Sequence, residues 1–298
     1  MNSSLRRQSP LGESAKQRLW VIPCIIFKEM NRLFSIKNFQ SHLATKKFGK
    51  NIVFHEEVDS TNDEAKRYAR VGKPEGFIVL CDRQTNGKGN FGHSWFSPGK
   101  VGLYFSIVIR PQLPLTRIPL LTFLAGVSLL KTIHQETSLI SKLKWPNDVM
   151  IKGKKICGIL TESASSINKV DFVILGIGVN INNSINQFPG EFCGGATSLK
   201  IETGNDYSRE KFLSSFLICL EQKYNSHIKY GAKNVLDTWR KHNNTLGQEV
   251  TICQGNRVTA GLAKDIDDQG NLLVQVKSGA IIKVSSGDMR KLNIISPG

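Results

Sequence analysis

Three strand-like segments follow one another closely in the middle of the chain, and they constrain the fold more than any other feature. The segments at 148–151, 155–162 and 171–179 are largely apolar and are separated by turn residues such as Gly153-Lys154. Strands joined by short turns pair antiparallel, whereas a parallel pair needs a long crossover. We therefore predict a mixed sheet rather than a strictly alternating parallel one.

Periodicity places the remaining elements. Further strands are predicted at 77–81, 103–109 and 143–145, and helices at 118–136, 209–230 and 234–242. Towards the C-terminus, short strand segments at 249–253, 257–266, 272–277 and 281–285 alternate with Gly-containing turns, which is typical of a small β-barrel. We predict an α+β fold with three parts: a basic N-terminal extension over 1–45 that is poorly ordered in part, a main domain over 46–244 with a mixed β-sheet flanked by helices, and a barrel domain over 245–298.

The net charge of +16 is the unusual bulk property of the chain. Half of it lies in residues 1–50, which hold ten Lys and Arg against two Glu. No helix-turn-helix, zinc-finger or aromatic-interleaved basic motif accompanies this charge, so we expect no DNA partner. The alternative explanation of the charge is a basic surface that steers an acidic protein partner.

Cysteine usage and the N-terminal composition bear on the compartment. The six cysteines are scattered without a C-x-x-C pair, which argues against a zinc ribbon or a thioredoxin-like site and favours a reducing compartment such as the cytoplasm. The apolar run at 19–27 is too short to span a bilayer, and no membrane association is expected. The acid-poor residues 1–30 leave a mitochondrial presequence open as an alternative. The oligomeric state cannot be read from the sequence, and a homodimer stays open.

A glycine-rich loop at 82–98 is the segment richest in chemistry. Its Gly87-x-Gly89-x-x-Gly92 spacing matches the dinucleotide fingerprint, but no helix opens after it and no acidic residue follows at the required distance. What remains is a loop whose backbone N–H groups and basic side chains, notably Lys88, can surround an anion. On composition alone, a plain hairpin loop is the alternative.

A short polar motif, Ser60-Thr61-Asn62, precedes a helix-like stretch. Thr61 and Glu64 have the spacing of a capping box, in which both side chains bond to the first backbone N–H groups of the helix. The same helix start can also present N–H groups and short polar side chains to a ligand. A ureido or carboxylate group would suit such a place.

Two further motifs carry polar groups at the ends of strands. In KWPND at 144–148, Asn147 and Asp148 follow a proline that ends a strand. They form either a plain turn or oxygen ligands for Mg²⁺ and a triphosphate. Lys155 lies at the edge of an apolar strand, where a lysine is usually solvated, but inside a pocket it would neutralise a carboxylate that is becoming a mixed anhydride. The alternating glycines of 176–180 (GIGVN) leave a groove in the sheet face.

The order and spacing of these motifs together are specific, although each motif alone is weak. The motifs STN at 60–62, QTNGKG at 84–89 with Trp95-x-x-Pro98, KWPND at 144–148, K-x-x-G-I-L-x-E at 155–162 and GxGxN at 176–180 closely resemble those of the biotin–protein ligases. The resemblance implies a class II synthetase-like biotin/lipoate ligase fold with a C-terminal SH3-like barrel. It also implies that residues 46–244 form a catalytic domain that binds biotin and ATP.

The resemblance further implies an activity and a set of site residues. Such an enzyme makes biotinyl-5'-AMP from biotin and ATP with Mg²⁺, and passes biotin to a lysine in the acceptor domain of a biotin-dependent carboxylase. The expected catalytic residues are Lys155, Lys88 and Asp148, with Asp148 also the expected Mg²⁺ ligand. The expected biotin contacts are Ser60, Thr61, Asn62, Gln84, Lys88, Gly89, Asn90 and Lys155, and the expected adenylate contacts are Trp95, Asn147 and Asn180.

The glycine-rich loop departs from the family pattern at Asn90. The family usually has G-R-G-R where this chain has Gly87-Lys88-Gly89-Asn90. Lys88 keeps the positive charge but loses the bidentate geometry of arginine, and Asn90 loses the charge. We expect this loop to hold the adenylate less tightly, by about 1–3 kcal/mol for one lost charge-assisted hydrogen bond.

Two other classes of function stay open on the sequence. One is a related acyl-adenylating ligase of the lipoate type, and the other is a non-catalytic protein that binds biotin or nucleic acid. Some bacterial ligases of this family double as DNA-binding repressors through a domain ahead of the catalytic one. The residues before the ligase region lack two well-spaced amphipathic helices, so a repressor role is not expected.

Overall fold

The computed structural model describes residues 33–166, 169–190 and 194–291, which form a seven-stranded sheet, helices around it and a second, five-stranded sheet. The main sheet contains β1 (Ile52–Val58), β2 (Ile78–Gln84), β3 (Leu103–Ile109), β4 (Lys142–Lys144), β5 (Asp148–Ile151), β6 (Lys154–Ser166) and β7 (Lys169–Val179). The helices are α1 (Ile36–His42), α2 (Thr61–Arg70), α3 (Leu120–Thr137), α4 (Leu199–Thr203), α5 (Arg209–Tyr230) and α6 (Lys233–His242). The second sheet contains β8 (Glu249–Gln254), β9 (Arg257–Ile266), β10 (Leu272–Gln275), β11 (Ile281–Val284) and β12 (Asp288–Lys291). The presequence alternative concerns residues 1–30, which lie outside the described residues.

The main sheet has the strand order β1-β2-β3-β7-β6-β5-β4. Strands β1 and β2 pair parallel, and the other neighbouring strands pair antiparallel. The prediction of a mixed sheet flanked by helices is therefore confirmed. The predicted bounds of β3 and β5 match the structure, whereas β6 and β7 extend beyond their predicted ends into a longer hairpin.

Side chains alternate along the central strands and divide the core between the two faces of the sheet. On β7, Val173 and Leu175 belong to the larger core, which includes residues of α3 and α5. Ile174 lies on the opposite face, in a smaller cluster with Ala65 and Ala69 of α2. Successive side chains of a strand point to opposite faces of the sheet, so β7 is buried on both faces. The first turn of α2 packs on the same face of β3 and β7, where Asn62 bonds Ser106 and lies over Gly176.

Helix α3 is a core helix of the protein. The stretch Leu115–Thr137 is long and apolar enough to cross a bilayer, but 67% of its most apolar 18-residue segment is buried inside the protein. Phe123 and Leu124 of this helix pack in the larger core. The structure thus agrees with the largely buried helix predicted for 118–136.

Helix α1 packs with the main domain, although the sequence analysis assigns its residues to the N-terminal extension. Phe34 and Phe39 are buried. The N–H of Ser35 donates to Oε1 of Glu210 (2.9 Å), and Oγ of Ser214 donates to the carbonyl of Phe39 (3.0 Å). The packed domain therefore begins before residue 46. The helix has a single buried side chain, Phe39, which is too little periodicity to reveal it in the sequence.

Strands β8 to β12 form an antiparallel sheet of order β11-β10-β9-β8-β12, which agrees with the SH3-like barrel domain expected from the sequence. Apolar residues of this domain, such as Val250 and Ile252, belong to the same core as the main sheet. Trp145 joins the two domains: its backbone N–H donates to Oγ1 of Thr245 (3.0 Å) and its indole Nε1 donates to the carbonyl of Gly270 (3.1 Å). The second domain therefore helps to fix the turn that carries Asn147 and Asp148.

Candidate active site

A cavity of about 400 Å³ lies between the glycine-rich loop, the main sheet and the second domain. Every site residue named from the sequence lines it, namely Ser60, Thr61, Asn62, Gln84, Lys88, Gly89, Asn90, Trp95, Asn147, Asp148, Lys155 and Asn180. These residues come from α2, β2, the loop, β5, β6 and the end of β7. The fold therefore brings residues that are far apart in sequence to one place. Their individual roles towards a ligand remain predictions.

One wall of the cavity is a hydrogen-bonded polar network at the start of α2. The N–H and Oγ1 of Thr61 donate to Oε1 of Gln84 (2.9 and 3.1 Å), and Nε2 of Gln84 donates to Oγ of Ser97 (2.8 Å). Oγ of Ser106 lies 2.6 Å from Oδ1 of Asn62 and 2.8 Å from Oγ1 of Thr61. The orientations of these side chains are fixed by the protein itself, which suits the recognition of a small polar group.

The start of α2 differs from the capping box predicted for Thr61 and Glu64. Ser60 is the N-cap residue, without a side-chain cap hydrogen bond, and its N–H donates to Oδ1 of Asp59 (2.7 Å). Glu64 forms an ion pair with Arg67 instead. The prediction of a capping box is wrong because the Thr61 hydroxyl bonds to the neighbouring Gln84 rather than to its own helix.

The glycine-rich loop folds back on itself as a short hairpin beside the cavity. Lys88 and Ser94 form an antiparallel bridge, and the N–H of Gly89 donates to the carbonyl of His93 (2.7 Å). A Cβ on Gly87 would overlap the carbonyl oxygen of Trp95, so this close approach requires glycine. The two interpretations offered by the sequence are compatible, because the hairpin carries the Lys88 cation to the cavity.

Lys88 reaches from the loop to helix α2. Its Nζ lies 2.5 Å from Oδ2 of Asp63, whose Oδ1 lies 3.3 Å from Nζ of Lys66. Burial alone would raise the pKa of Asp63, but the hydrogen bonds from Lys88 and Lys66 outweigh burial and hold this pKa below its ordinary value. The bond to Asp63 in turn raises the pKa of Lys88, so Lys88 is held as a cation.

Lys155 reaches from β6 to the KWPND turn. Its Nζ lies 2.6 Å from Oδ1 of Asp148 and 5.3 Å from the centroid of the Trp95 ring. The side chains of Asp148 and Lys155 are 16% and 34% exposed, so the pair is partly shielded yet accessible from the cavity. An anionic ligand that enters the cavity would compete with Asp148 for the ammonium group.

Glycines of β6 and β7 form the groove that the alternating glycines predict. The Trp95 ring lies over Gly158 and Gly178: a Cβ would lie 3.0 Å from Cζ3 at Gly158 and 2.5 Å from Cε2 at Gly178. Asn62 lies over Gly176, where a Cβ would lie 2.7 Å from Cγ. The groove therefore accommodates two predicted site residues, and larger side chains on the strands would displace them.

Asn147 and Asn180 use their amide groups to hold the backbone around the cavity. Nδ2 of Asn147 donates to the carbonyl of Ile159 (2.7 Å), and Nδ2 of Asn180 donates to the carbonyl of Thr197 (2.9 Å). These bonds fix the orientation of both amides. The sequence motifs predict ligand contacts for these residues but not this supporting role.

The residues around Asp148 fit Mg²⁺ that enters as the partner of ATP. Among the described residues, no group of three or more His, Cys, Asp or Glu is placed to hold a metal ion. Mg²⁺ bound with a nucleotide commonly takes one or two carboxylates from the protein and completes its coordination with phosphates and water. Asp148 on the cavity wall satisfies that requirement.

The second domain supplies a wall of the cavity that the sequence analysis missed. Gly287, Asp288 and Met289 line the cavity, and Nε2 of His93, on the glycine-rich loop, lies 3.7 Å from Oδ2 of Asp288. The predicted strand segments of this domain end at residue 285, so strand β12 was missed. No local pattern in the sequence indicates that this part of the domain meets the loop.

Family profiles match both domains. The profile of the Biotin/lipoate A/B protein ligase family matches residues 54–180, and that of the Biotin protein ligase C terminal domain matches residues 245–292. The first range contains the polar wall, the glycine-rich loop, Asp148 and Lys155, and the second contains the domain that closes the cavity. Fold and site thus define the class as a biotin/lipoate-type protein ligase.

Individual relatives narrow this class. The chain is 34% identical to the bifunctional ligase/repressor BirA of Bacillus subtilis over 83% of the chain and 76% of that protein. It is 30% identical to the biotin–[acetyl-CoA-carboxylase] ligase of Mycobacterium tuberculosis over 78% of the chain and 86% of that protein. The structure of the biotin protein ligase from Aquifex aeolicus in complex with biotin and ATP matches with a TM-score of 0.70 and 29% identity, over 81% of this chain and 99% of that one. The chain belongs to the biotin–protein ligase family.

Proposed function

We propose that this protein is an ATP-dependent biotin–protein ligase in which Lys88 and Lys155 act on the reacting anions. The observation that carries the proposal is that these two lysines, from separate elements, line one cavity. A carboxylate and a triphosphate repel each other, and two cations at their meeting point offset that repulsion. The Aquifex ligase, whose structure contains biotin and ATP together, supports a shared cavity for both substrates.

In the first half-reaction, a carboxylate oxygen of biotin attacks the α-phosphorus of ATP. The new O–P bond gives biotinyl-5'-AMP, and the bond to the bridging oxygen breaks so that pyrophosphate leaves. We assign Lys155 to the biotin carboxylate, and Lys88 with Gly89 and Asn90 to the loop that covers biotin and the phosphate. Asp148 would hold Mg²⁺, which neutralises phosphate charge when bound. The protein then contributes mainly by positioning the substrates and excluding water.

In the second half-reaction, the neutral amine of an acceptor lysine attacks the acyl carbonyl of biotinyl-5'-AMP. The amide forms, AMP leaves and the amine loses a proton, so no covalent bond to the enzyme is needed. We assign the polar wall, Ser60, Thr61, Asn62 and Gln84, to the polar end of biotin. Trp95, Asn147 and Asn180 belong to the adenylate side.

The direct test is transfer of labelled biotin to a purified biotin-acceptor domain in the presence of ATP and Mg²⁺. We expect labelling by the unaltered chain and a loss of about 10²–10³-fold in Lys155→Ala, as for the removal of one donor that stabilises developing charge. Asp148→Ala should lower labelling at least as far. Lys154→Ala is the matched control, because Lys154 is adjacent on β6 but does not line the cavity.

Two results would contradict the proposal. Normal labelling by both Lys155→Ala and Asp148→Ala would remove the assignment of these residues. Pyrophosphate release that requires lipoate instead of biotin would favour the related lipoate-type ligase.

We infer that the acceptor is the biotin carboxyl carrier domain of a biotin-dependent carboxylase and that the enzyme works in the cytoplasm. Cys81, Cys157 and Cys219 are buried as free thiols, which is compatible with a reducing compartment.

A further inference from the structure

A continuous chain of polar side chains runs from the cavity wall to the glycine-rich loop. Nδ2 of Asn62 donates to Oε2 of Glu162 (2.8 Å), and Oε1 of Glu162 accepts from Nζ of Lys66 (2.6 Å). Lys66 also lies 3.3 Å from Oδ1 of Asp63, whose Oδ2 lies 2.5 Å from Nζ of Lys88. This polar chain, Asn62–Glu162–Lys66–Asp63–Lys88, joins three separate parts of the fold, namely β6, α2 and the loop.

Both carboxylates of the polar chain have one partner on each oxygen. Glu162 bonds Asn62 through one oxygen and Lys66 through the other, and Asp63 pairs with Lys66 and Lys88 in the same way. The three central side chains are partly shielded, with 24% to 31% of their area exposed. Isolated exposed ion pairs contribute little, whereas a network in which each group has two partners holds its members in one arrangement.

The two ends of the polar chain are predicted ligand contacts. Asn62 belongs to the polar wall, and Lys88 is the loop cation. The hairpin fixes the backbone at Lys88, but the lysine side chain is long and flexible. The bond to Asp63 therefore sets where the ammonium group lies. An ammonium group has three donors, so Lys88 can keep its bond to Asp63 while it contacts a ligand phosphate.

On the basis of the proposed function, we propose that Asp63 and Glu162 are positioning residues of the ligase. Glu162 fixes the amide of Asn62 on the polar wall, and Asp63 holds Lys88 and the loop at the cavity. Lys66 links the two carboxylates. The ordering of the polar wall and the position of the loop are therefore coupled, and the loop retains biotinyl-5'-AMP most strongly when the polar chain is intact.

The test compares the dissociation rate of biotinyl-5'-AMP and the two substrate KM values in three variants. Asp63→Asn is expected to release biotinyl-5'-AMP about tenfold faster, the change for one lost charge-assisted hydrogen bond. Glu162→Gln is expected to raise the KM for biotin while leaving kcat for adenylate formation within about threefold, because uniform binding and not transition-state stabilisation is lost. Glu64→Gln is the matched control: it removes the same charge from the same helical turn, but Glu64 pairs with Arg67, outside the polar chain.

A double-mutant cycle separates positioning from simple stabilisation of α2. In a Lys88→Ala background, Asp63→Asn should accelerate release little further, because the two residues act through one contact. Additive effects, or retention of biotinyl-5'-AMP by Asp63→Asn at the unaltered rate, would overturn the proposal. If Asp63→Asn fails to fold, Lys66→Gln serves in its place, since it breaks the link and leaves both carboxylates; unaltered release would again overturn the proposal. A failure of the unaltered chain to form biotinyl-5'-AMP would instead contradict the proposed function.

Discussion

Replacing Gly178 by alanine is expected to weaken the binding of ATP more than that of biotin. The added Cβ would overlap Nε1 of the Trp95 ring and lie 2.5 Å from its Cε2, whereas carbon atoms in contact are ordinarily about 3.5–4.0 Å apart. Strand β7 is paired on both sides, by β3 and β6, so the indole ring must move rather than the backbone. Because Trp95 is assigned to the adenylate side, ATP is the substrate that loses a contact.

The size of the effect follows from the overlap. Extra atoms in a well-packed position cost about 1–3 kcal/mol, which corresponds to roughly 5- to 150-fold in affinity. We therefore expect the KM for ATP to rise by about one to two orders of magnitude. Gly176→Ala is the reciprocal change, since its Cβ would lie 2.7 Å from Cγ of Asn62, and it should raise the KM for biotin instead.

Pyrophosphate release, measured while each substrate is varied in turn, distinguishes the two variants. Gly190→Ala is the control, because a Cβ there would meet no atom within 4 Å. If Gly178→Ala leaves the KM for ATP unchanged, or if both variants raise the two KM values equally, then Trp95 and Asn62 do not serve different ends of the cavity. The reasoning from the groove would be refuted in either case.

Two further predictions concern the loop and the second domain. Asn90→Arg should slow the dissociation of biotinyl-5'-AMP by about tenfold or more, through a restored charge-assisted hydrogen bond; a chase with unlabelled adenylate measures this rate, and an unchanged rate would contradict the interpretation of Asn90. Burial alone would raise the pKa of Asp267, but bonds from Lys283 and Asn271 lower it to about 2. Because the folded pKa is depressed, this carboxylate stabilises the fold above its unfolded pKa and the contribution is lost as the pH falls towards about 2. Thermal unfolding between pH 5 and 2 (roughly that window) should therefore show a smaller loss of Tm in Asp267→Asn than in the unaltered chain, and equal losses would show that Asp267 contributes nothing.

The elements that the sequence predicts well are those whose periodicity is strong. Strand β3, helix α5 and strand β9 have the predicted bounds, because long apolar runs or a regular helical spacing define them. Strand β1 was missed: it is an edge strand that contains His55, Glu56 and Glu57, and its burial shows no continuous apolar run. Edge strands with charged side chains lack the pattern by which buried strands are recognised.

The site shows a similar division. The residues predicted from the motifs all line one cavity. They could be predicted because each motif is a continuous stretch that can be recognised in the sequence. Asp63 and Lys66 were missed, since their importance depends on ion pairs between elements that are distant in sequence. Such pairs leave no local signature, and neither does the approach of Gly287 to the loop.

Two features tie the second domain to the site: Trp145 bonds to Thr245 and Gly270, and residues 287–289 form one wall of the cavity. They have a consequence for engineering. A fusion or chimera that carried the main domain alone would remove both hydrogen-bond partners of Trp145. It would also leave the cavity open to solvent on one side. Water would then reach a reactive mixed anhydride before an acceptor amine does. Any transplant of the catalytic unit into another protein should therefore include the C-terminal strands through β12.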